Sequence, residues 1–186
     1  MVKIRLFLAI NFNDEVKSRI NEIISLVKSN STQGRFVGAE QLHLTLEFLG
    51  EVQRHRVDLI KKIMDGIESS PFELEISKAG FFKRSEGDVC WLGVKENGAL
   101  FSLQKKLHQS LLGCGFELED RAYKPHITLG RKVKVNAGFD LSKLEGMAEG
   151  IITRVDKIDL MKSEFSNGGV SYTVVYSKPL GWPGSL

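Results

Sequence analysis

The stretch Gln41-Leu42-His43-Leu44-Thr45-Leu46-Glu47-Phe48-Leu49-Gly50 alternates, with Leu42, Leu44, Leu46 and Phe48 on one side and His43, Thr45 and Glu47 on the other. Successive side chains of a strand point to opposite faces, so this pattern predicts a strand with one apolar and one chemically equipped face. Far downstream, Tyr123-Lys124-Pro125-His126-Ile127-Thr128-Leu129-Gly130-Arg131 presents the same arrangement, with His126 and Thr128 in place of His43 and Thr45.

The duplication is the signal. The pattern His-apolar-Thr-Leu occurs twice in a chain with four histidines and five threonines; two such pairs arise by accident with a chance of roughly 0.4%. Residues i and i+2 of a strand share a face about 7 Å apart, so each motif offers an imidazole and a hydroxyl together. Two such strands side by side would surround one phosphate, an imidazole on each side of phosphorus, with Thr45 and Thr128 donating to its non-bridging oxygens. In-line displacement at phosphorus requires this. One histidine takes a proton from the attacking oxygen while the other supplies one to the leaving oxygen, and imidazole titrates near enough to neutrality for both tasks.

Outward from the motifs, strand and helix patterns alternate. Residues 4–10 read as a strand, and Asn13 or Asp14 as the N-cap of a helix whose face is Val16, Ile20, Ile23, Ile24 and Val27. The polar run 29–34 breaks that helix. A second helix is predicted over 54–68, paired strands over 71–76 and 89–94, and a third helix marked by Leu100, Leu103, Leu107 and Leu111 up to Gly113-Cys114-Gly115. Beyond these come a strand at 155–161, a turn at 166–169 and a terminal strand at 172–176, and residues 181–186 read as a C-terminal tail. The pattern predicts an α+β chain with one domain over 1–180, of two lobes related by an approximate two-fold.

Composition narrows the function. With 42% hydrophobic and 26% charged residues, the 186-residue chain is neither a disordered polyampholyte nor a membrane protein. No leader or apolar span is recognised, which makes the cytoplasm the expected compartment. A net charge of +3 permits an anionic substrate without demanding one. Cys90 and Cys114 lie in apolar neighbourhoods without metal-ligand spacing and are expected to be buried thiols. His55 and His108 lack a following threonine and read as partly exposed helix residues. A metal centre would need a third ligand; Glu47 is the one candidate on the motif face, and Gly130 stands at the matching place in the second motif, so neither metal nor cofactor is expected.

These motifs resemble those of the two-histidine phosphoesterase superfamily, in particular its RNA 2′,3′-cyclic phosphodiesterase branch, also called 2′,5′ RNA ligases. The resemblance extends over Arg5-Leu6-Phe7-Leu8-Ala9, both motifs, and Ser163, Gly169 and Tyr172. It implies a bilobal α+β fold with antiparallel sheets lining a central cleft and helices packed outside. It also implies hydrolysis of a terminal 2′,3′-cyclic phosphate to a 2′-phosphate and, in reverse, joining of RNA ends through a 2′,5′ bond. The resemblance makes His43 the proton donor and His126 the proton acceptor, roles that the site's symmetry alone does not distinguish.

Arg131 is a candidate phosphate contact and Tyr123 a candidate for stacking on the base. The expected partner is RNA ending in a 2′,3′-cyclic phosphate, such as a tRNA half, handled by a monomer with no obligate protein partner. Two other readings are open: a related esterase for small cyclic nucleotides or ADP-ribose cyclic phosphate, and a non-catalytic single-stranded RNA-binding module.

Overall fold

Strand β1 (Lys3–Asn11) explains the framework, because it is buried on both faces. Leu6, Leu8 and Ile10 enter the main core, while Phe7 and Ala9 join Met161 in a separate small cluster on the opposite side. A strand covered on both sides lies inside its sheet, and each such Leu or Ile contributes about 1.5–3 kcal/mol by leaving water. In the computed structural model, which describes residues 2–166 and 169–181, β1 is flanked by β3 (His43–Gln53) and β8 (Lys157–Ser166), with β9 (Gly169–Pro179) beyond β8.

The other sheet has the order β2-β6-β5-β4-β7, formed by β2 (Ser31–Phe36), β4 (Phe72–Phe82), β5 (Asp88–Val94), β6 (His126–Val135) and β7 (Ile151–Val155). Every strand pair is antiparallel. Helices α1 (Asp14–Ser29), α2 (Val57–Asp65), α3 (Gly98–Gly113) and α4 (Ser142–Ala148) pack against the sheets. The α+β architecture with two antiparallel sheets and external helices is the expected one. Since β2 crosses to the second sheet and β8 and β9 return to the first, no single cut in the chain separates the two.

Helix ends follow local chemistry. Asn13 accepts from the Val16 N–H at 2.9 Å and Asn97 from the Leu100 N–H at 3.0 Å; such caps contribute about 1 kcal/mol each.

Several expectations are corrected. The polar run after α1 ends the helix as predicted but continues as β2, an edge strand whose Arg35 and Phe36 pair with Arg131 and Gly130. Its backbone groups bond β6 while most side chains face water, so no apolar alternation marks it. The predicted 54–68 helix is a 3-10 turn over Arg54–Arg56 followed by the shorter α2. Strand β4 runs on to Phe82, and α4 and β7 lie where no element was expected. Cys90 is buried, its thiol pushed up to about 12 by burial, but Cys114 is exposed just past the end of α3. Residues 167–168 of the expected turn and 182–186 of the expected tail lie outside the described residues.

Strand β3 also departs from its predicted alternation. Against β1 its register skips Leu46 and Leu49: Ala9 pairs with Thr45, Leu8 with Glu47, Phe7 with Phe48 and Leu6 with Gly50. Each extra residue is a β-bulge that reverses the parity of the residues beyond it. Glu47 therefore turns inward beside Leu46, and Phe48 takes the cleft face that the sequence pattern assigned to Glu47. Gly50, at φ 64, accommodates the second bulge in a conformation that side chains disfavour.

Candidate active site

His43 is the first residue of β3 and His126 the first of β6, one on each sheet. Each is tethered in the same manner: His43 Nδ1 lies 2.7 Å from the Gln41 carbonyl oxygen and His126 Nδ1 2.8 Å from that of Lys124. A carbonyl oxygen only accepts, so Nδ1 carries a hydrogen in both charge states. The variable proton therefore belongs to Nε2 in both rings. A neutral imidazole then offers a lone pair there and an imidazolium an N–H, so either histidine can act as base or acid according to its charge.

The cavity between the motifs has a volume of about 450 Å³ and is lined by His43, Thr45, His126 and Thr128 together with Arg131. Five of the six residues predicted from sequence thus meet at one place. The sixth, Tyr123, does not line this cavity. Its hydroxyl donates to the Thr45 carbonyl oxygen at 3.0 Å and its ring meets Phe101 edge-on. Burial drives that hydroxyl's pKa well above its ordinary range. Tyr123 is thus a tether from the approach to the second motif onto the strand of the first.

Burial is the main cause that lowers both imidazoles below 6.5. The backbone hydrogen bonds to Gln41 and Lys124 oppose the shift, and the positive charge of Arg131 adds to it at both rings. The unfolded chain takes up protons near pH 6.5 and the folded chain only below that, so these groups cost stability as pH falls through 6.5 and cost none above it.

Residues that sequence reasoning left unassigned complete the cavity. Arg5 lies on β1 with its guanidinium 4.7 Å from the Phe48 ring centroid, giving a second cation beside Arg131. Phe7 and Tyr172 enclose the His43 ring at centroid distances of 4.9 and 5.1 Å. Phe165, 73% exposed, stands at the edge of the same cavity. Gln41 joins the first motif to β9, its Nε2 donating to the Val170 carbonyl oxygen. Signals existed for Arg5 and Phe7, which share one parity on β1 opposite the fully apolar Leu6, Leu8 and Ile10, and for Tyr172, which lies within the family resemblance; none marked Phe165.

Glu47 is committed elsewhere. Its buried carboxylate accepts from Gln104 Nε2 at 3.2 Å and faces His108 Nδ1 at 2.7 Å, turning toward α3. At the corresponding place in the second motif a Cβ on Gly130 would come within 2.9 Å of the Phe36 ring, leaving no room for a carboxylate. His108 is half-buried with a partner that the sequence did not indicate, whereas His55 is exposed in the 3-10 turn before α2. Among the described residues no three His, Cys, Asp or Glu side chains converge as metal ligands. Among them also, no helix is long and apolar enough to cross a membrane.

Residues 12–166 match the 2′-5′ RNA ligase superfamily. The chain belongs to that family. Two curated relatives resemble it along almost all its length. The RNA 2′,3′-cyclic phosphodiesterase of Methanothermobacter thermautotrophicus is 32% identical over 92% of this chain and 96% of its own. The enzyme of the same name from Thermotoga maritima is 33% identical over 92% and 93%. Escherichia coli LigT complexed with 3′-AMP superposes with a TM-score of 0.81 at 29% identity, covering 96% of this chain and 99% of that one.

Proposed function

We propose that this enzyme hydrolyses the terminal 2′,3′-cyclic phosphate of an RNA to a 2′-phosphate by metal-independent acid-base catalysis. The observation that carries the reading is the matched pair of imidazoles, each fixed through Nδ1 with Nε2 as its titrating atom, on one cavity with two threonine hydroxyls and two arginines. His43 protonates the departing 3′ oxygen and His126 takes a proton from water, as in the family. The difference between the rings supports that division: His43 is enclosed by two aromatic rings, Phe7 and Tyr172, whereas His126 meets one, Phe82. Thr45, Thr128, Arg5 and Arg131 hold the phosphate oxygens and balance their charge. The base stacks on Phe165 at the cavity edge rather than on Tyr123.

The same steps with an RNA 5′-hydroxyl in place of water join RNA ends through a 2′,5′ bond. The chain works on such ends, tRNA halves among them, as a cytoplasmic monomer without a cofactor. Incubating an oligonucleotide that ends in a 2′,3′-cyclic phosphate with the protein in excess EDTA yields the 2′-phosphate product, and no product under those conditions would refute the assignment. Turnover of small cyclic nucleotides is a second reading, favoured by the mononucleotide 3′-AMP bound to LigT. A higher kcat/KM for a cyclic mononucleotide than for the oligonucleotide would establish it.

A pH dependence arises from the lowered imidazoles. The reaction needs one ring charged and one neutral. In the free enzyme both pKa values lie below 6.5, so kcat/KM already declines as pH rises toward 6.5, where the acid form is being lost, and keeps falling above it. A bound phosphodiester anion favours imidazolium, so the decline of kcat falls at higher pH than that of kcat/KM. Arg131→Gln raises KM and moves the kcat/KM optimum to higher pH, because Arg131 depresses both rings. Coincident kcat and kcat/KM profiles would contradict this.

A further inference from the structure

A second cavity of about 500 Å³ adjoins the first and shares Thr45, Phe48 and His126 with it. His43 borders only the first cavity, so His126 is the one motif histidine that faces both. The inner wall of the second cavity is the polar group formed by Glu47, Gln104 and His108. Among the described residues, Gln104 Oε1 and His108 Nε2 make no hydrogen bond, leaving an acceptor and a ring nitrogen to meet a ligand. Phe82 supplies an aromatic wall, stacked on Trp91 and edge-on to His126 at a centroid distance of 5.1 Å in each case. Arg84 and Lys124 also line it, neither paired with a carboxylate among the described residues, whereas Arg121 is held by Glu119 at 2.5 Å.

We propose that this second cavity seats the first nucleoside of an acceptor RNA, with its 5′-hydroxyl presented to His126 in place of the hydrolytic water. The inference rests on the phosphodiesterase reading above. An amide oxygen and a ring nitrogen beside an aromatic ring match the polar edge and face of a nucleobase, unpaired cations match the phosphate that follows its 3′ oxygen, and the volume suits a nucleoside. Direction is set by His126. A hydroxyl arriving from the second cavity meets the proton acceptor first and stands across phosphorus from His43.

The transfer balances without a further reactant. The O5′–H bond breaks and its proton passes to His126 Nε2 as O5′ bonds to phosphorus. The P–O3′ bond breaks and O3′ takes the proton from His43 Nε2. A 2′,5′ phosphodiester with a free 3′-hydroxyl results, and proton exchange with water restores both imidazoles.

Two measurements on the full chain test the inference. In the first, adenylyl-(3′→5′)-adenosine bearing a free 5′-hydroxyl is titrated while the His108 imidazole resonances are followed by NMR. Saturable shifts are expected in the wild type and are lost in the double variant Gln104→Ala/Arg84→Ala; absence of a shift in the wild type overturns the subsite whether or not the protein is active. In the second, RNA ending in a cyclic phosphate is supplied with a 5′-hydroxyl RNA. The double variant forms 2′,5′-joined product at least about tenfold more slowly while its hydrolysis of a cyclic mononucleotide stays within about twofold. Equal losses in both reactions, or none in either, overturn the inference. A wild type that hydrolyses no cyclic phosphate removes the phosphodiesterase reading instead, and the His108 titration still decides the cavity.

Discussion

His126→Ala lowers kcat on cyclic-phosphate RNA by about 10²–10⁴-fold, and His43→Ala does the same, because each removes one of two proton transfers at phosphorus. The two losses do not add. Once either imidazole is gone, concerted transfer is broken and the second deletion costs much less than the first. Both rings end their tethers at backbone carbonyls rather than in the core, so the variants melt within a few degrees of the wild type. His126→Ala is further distinguished from His43→Ala by its substrate: a cyclic diester with a p-nitrophenol-like leaving group, which needs no protonation to depart, restores much of the activity of His43→Ala and little of that of His126→Ala. Equal restoration would erase the assignment of acid and base, and greater restoration of His126→Ala would reverse it. Near-wild-type turnover by either alanine variant would refute the shared mechanism.

Leu44→Ala produces the second large effect, on stability first and activity second. Leu44 lies between His43 and Thr45, fully buried in the main core opposite Ile10 of β1. Truncating such a side chain costs about 2–5 kcal/mol, the lost transfer energy plus the cavity left behind. In a chain of this size that corresponds to a fall in Tm on the order of 10 °C. Thr45→Ala serves as the comparison from the same strand. It is half-buried with its side chain on the cleft, and its loss raises KM or lowers kcat while leaving the melt close to wild type. The parity of one strand thereby separates the core function of Leu44 from the cleft function of its neighbour. A melt unchanged by Leu44→Ala would contradict this packing.

Local sequence was sufficient for the motif residues. His43, Thr45, His126 and Thr128 come from a repeated local pattern, since side chains two residues apart on a strand share a face whatever the rest of the fold does. Arg131, of the opposite parity, reaches the same cavity only because the register of β6 against β5 skips Leu129, a bulge that reverses the parity beyond it. The helix faces of α1 and α3 were equally legible, since Ile20, Ile23 and Val27, or Leu103, Leu107 and Leu111, recur at helical spacing and are buried. Local periodicity therefore determined most element types, both motifs and the α+β class.

The remaining features required partners distant in the chain. The bulges at Leu46 and Leu49 exist only in register with β1, and they, not the local alternation, decide that Phe48 faces the cleft and Glu47 turns inward to His108. Strand β2 is held by β6 through backbone hydrogen bonds that leave no trace in side-chain pattern. Tyr123 carries the composition of a stacking residue, but the Thr45 carbonyl from the other sheet takes its hydroxyl. Arg5, Phe165 and Tyr172 meet the histidines only when β1, β8 and β9 close one side of the cavity. The sequence by itself determined which groups perform the chemistry, because their spacing along a strand is a local property; only the tertiary structure decided what surrounds them, because register and sheet order are set by contacts between distant segments.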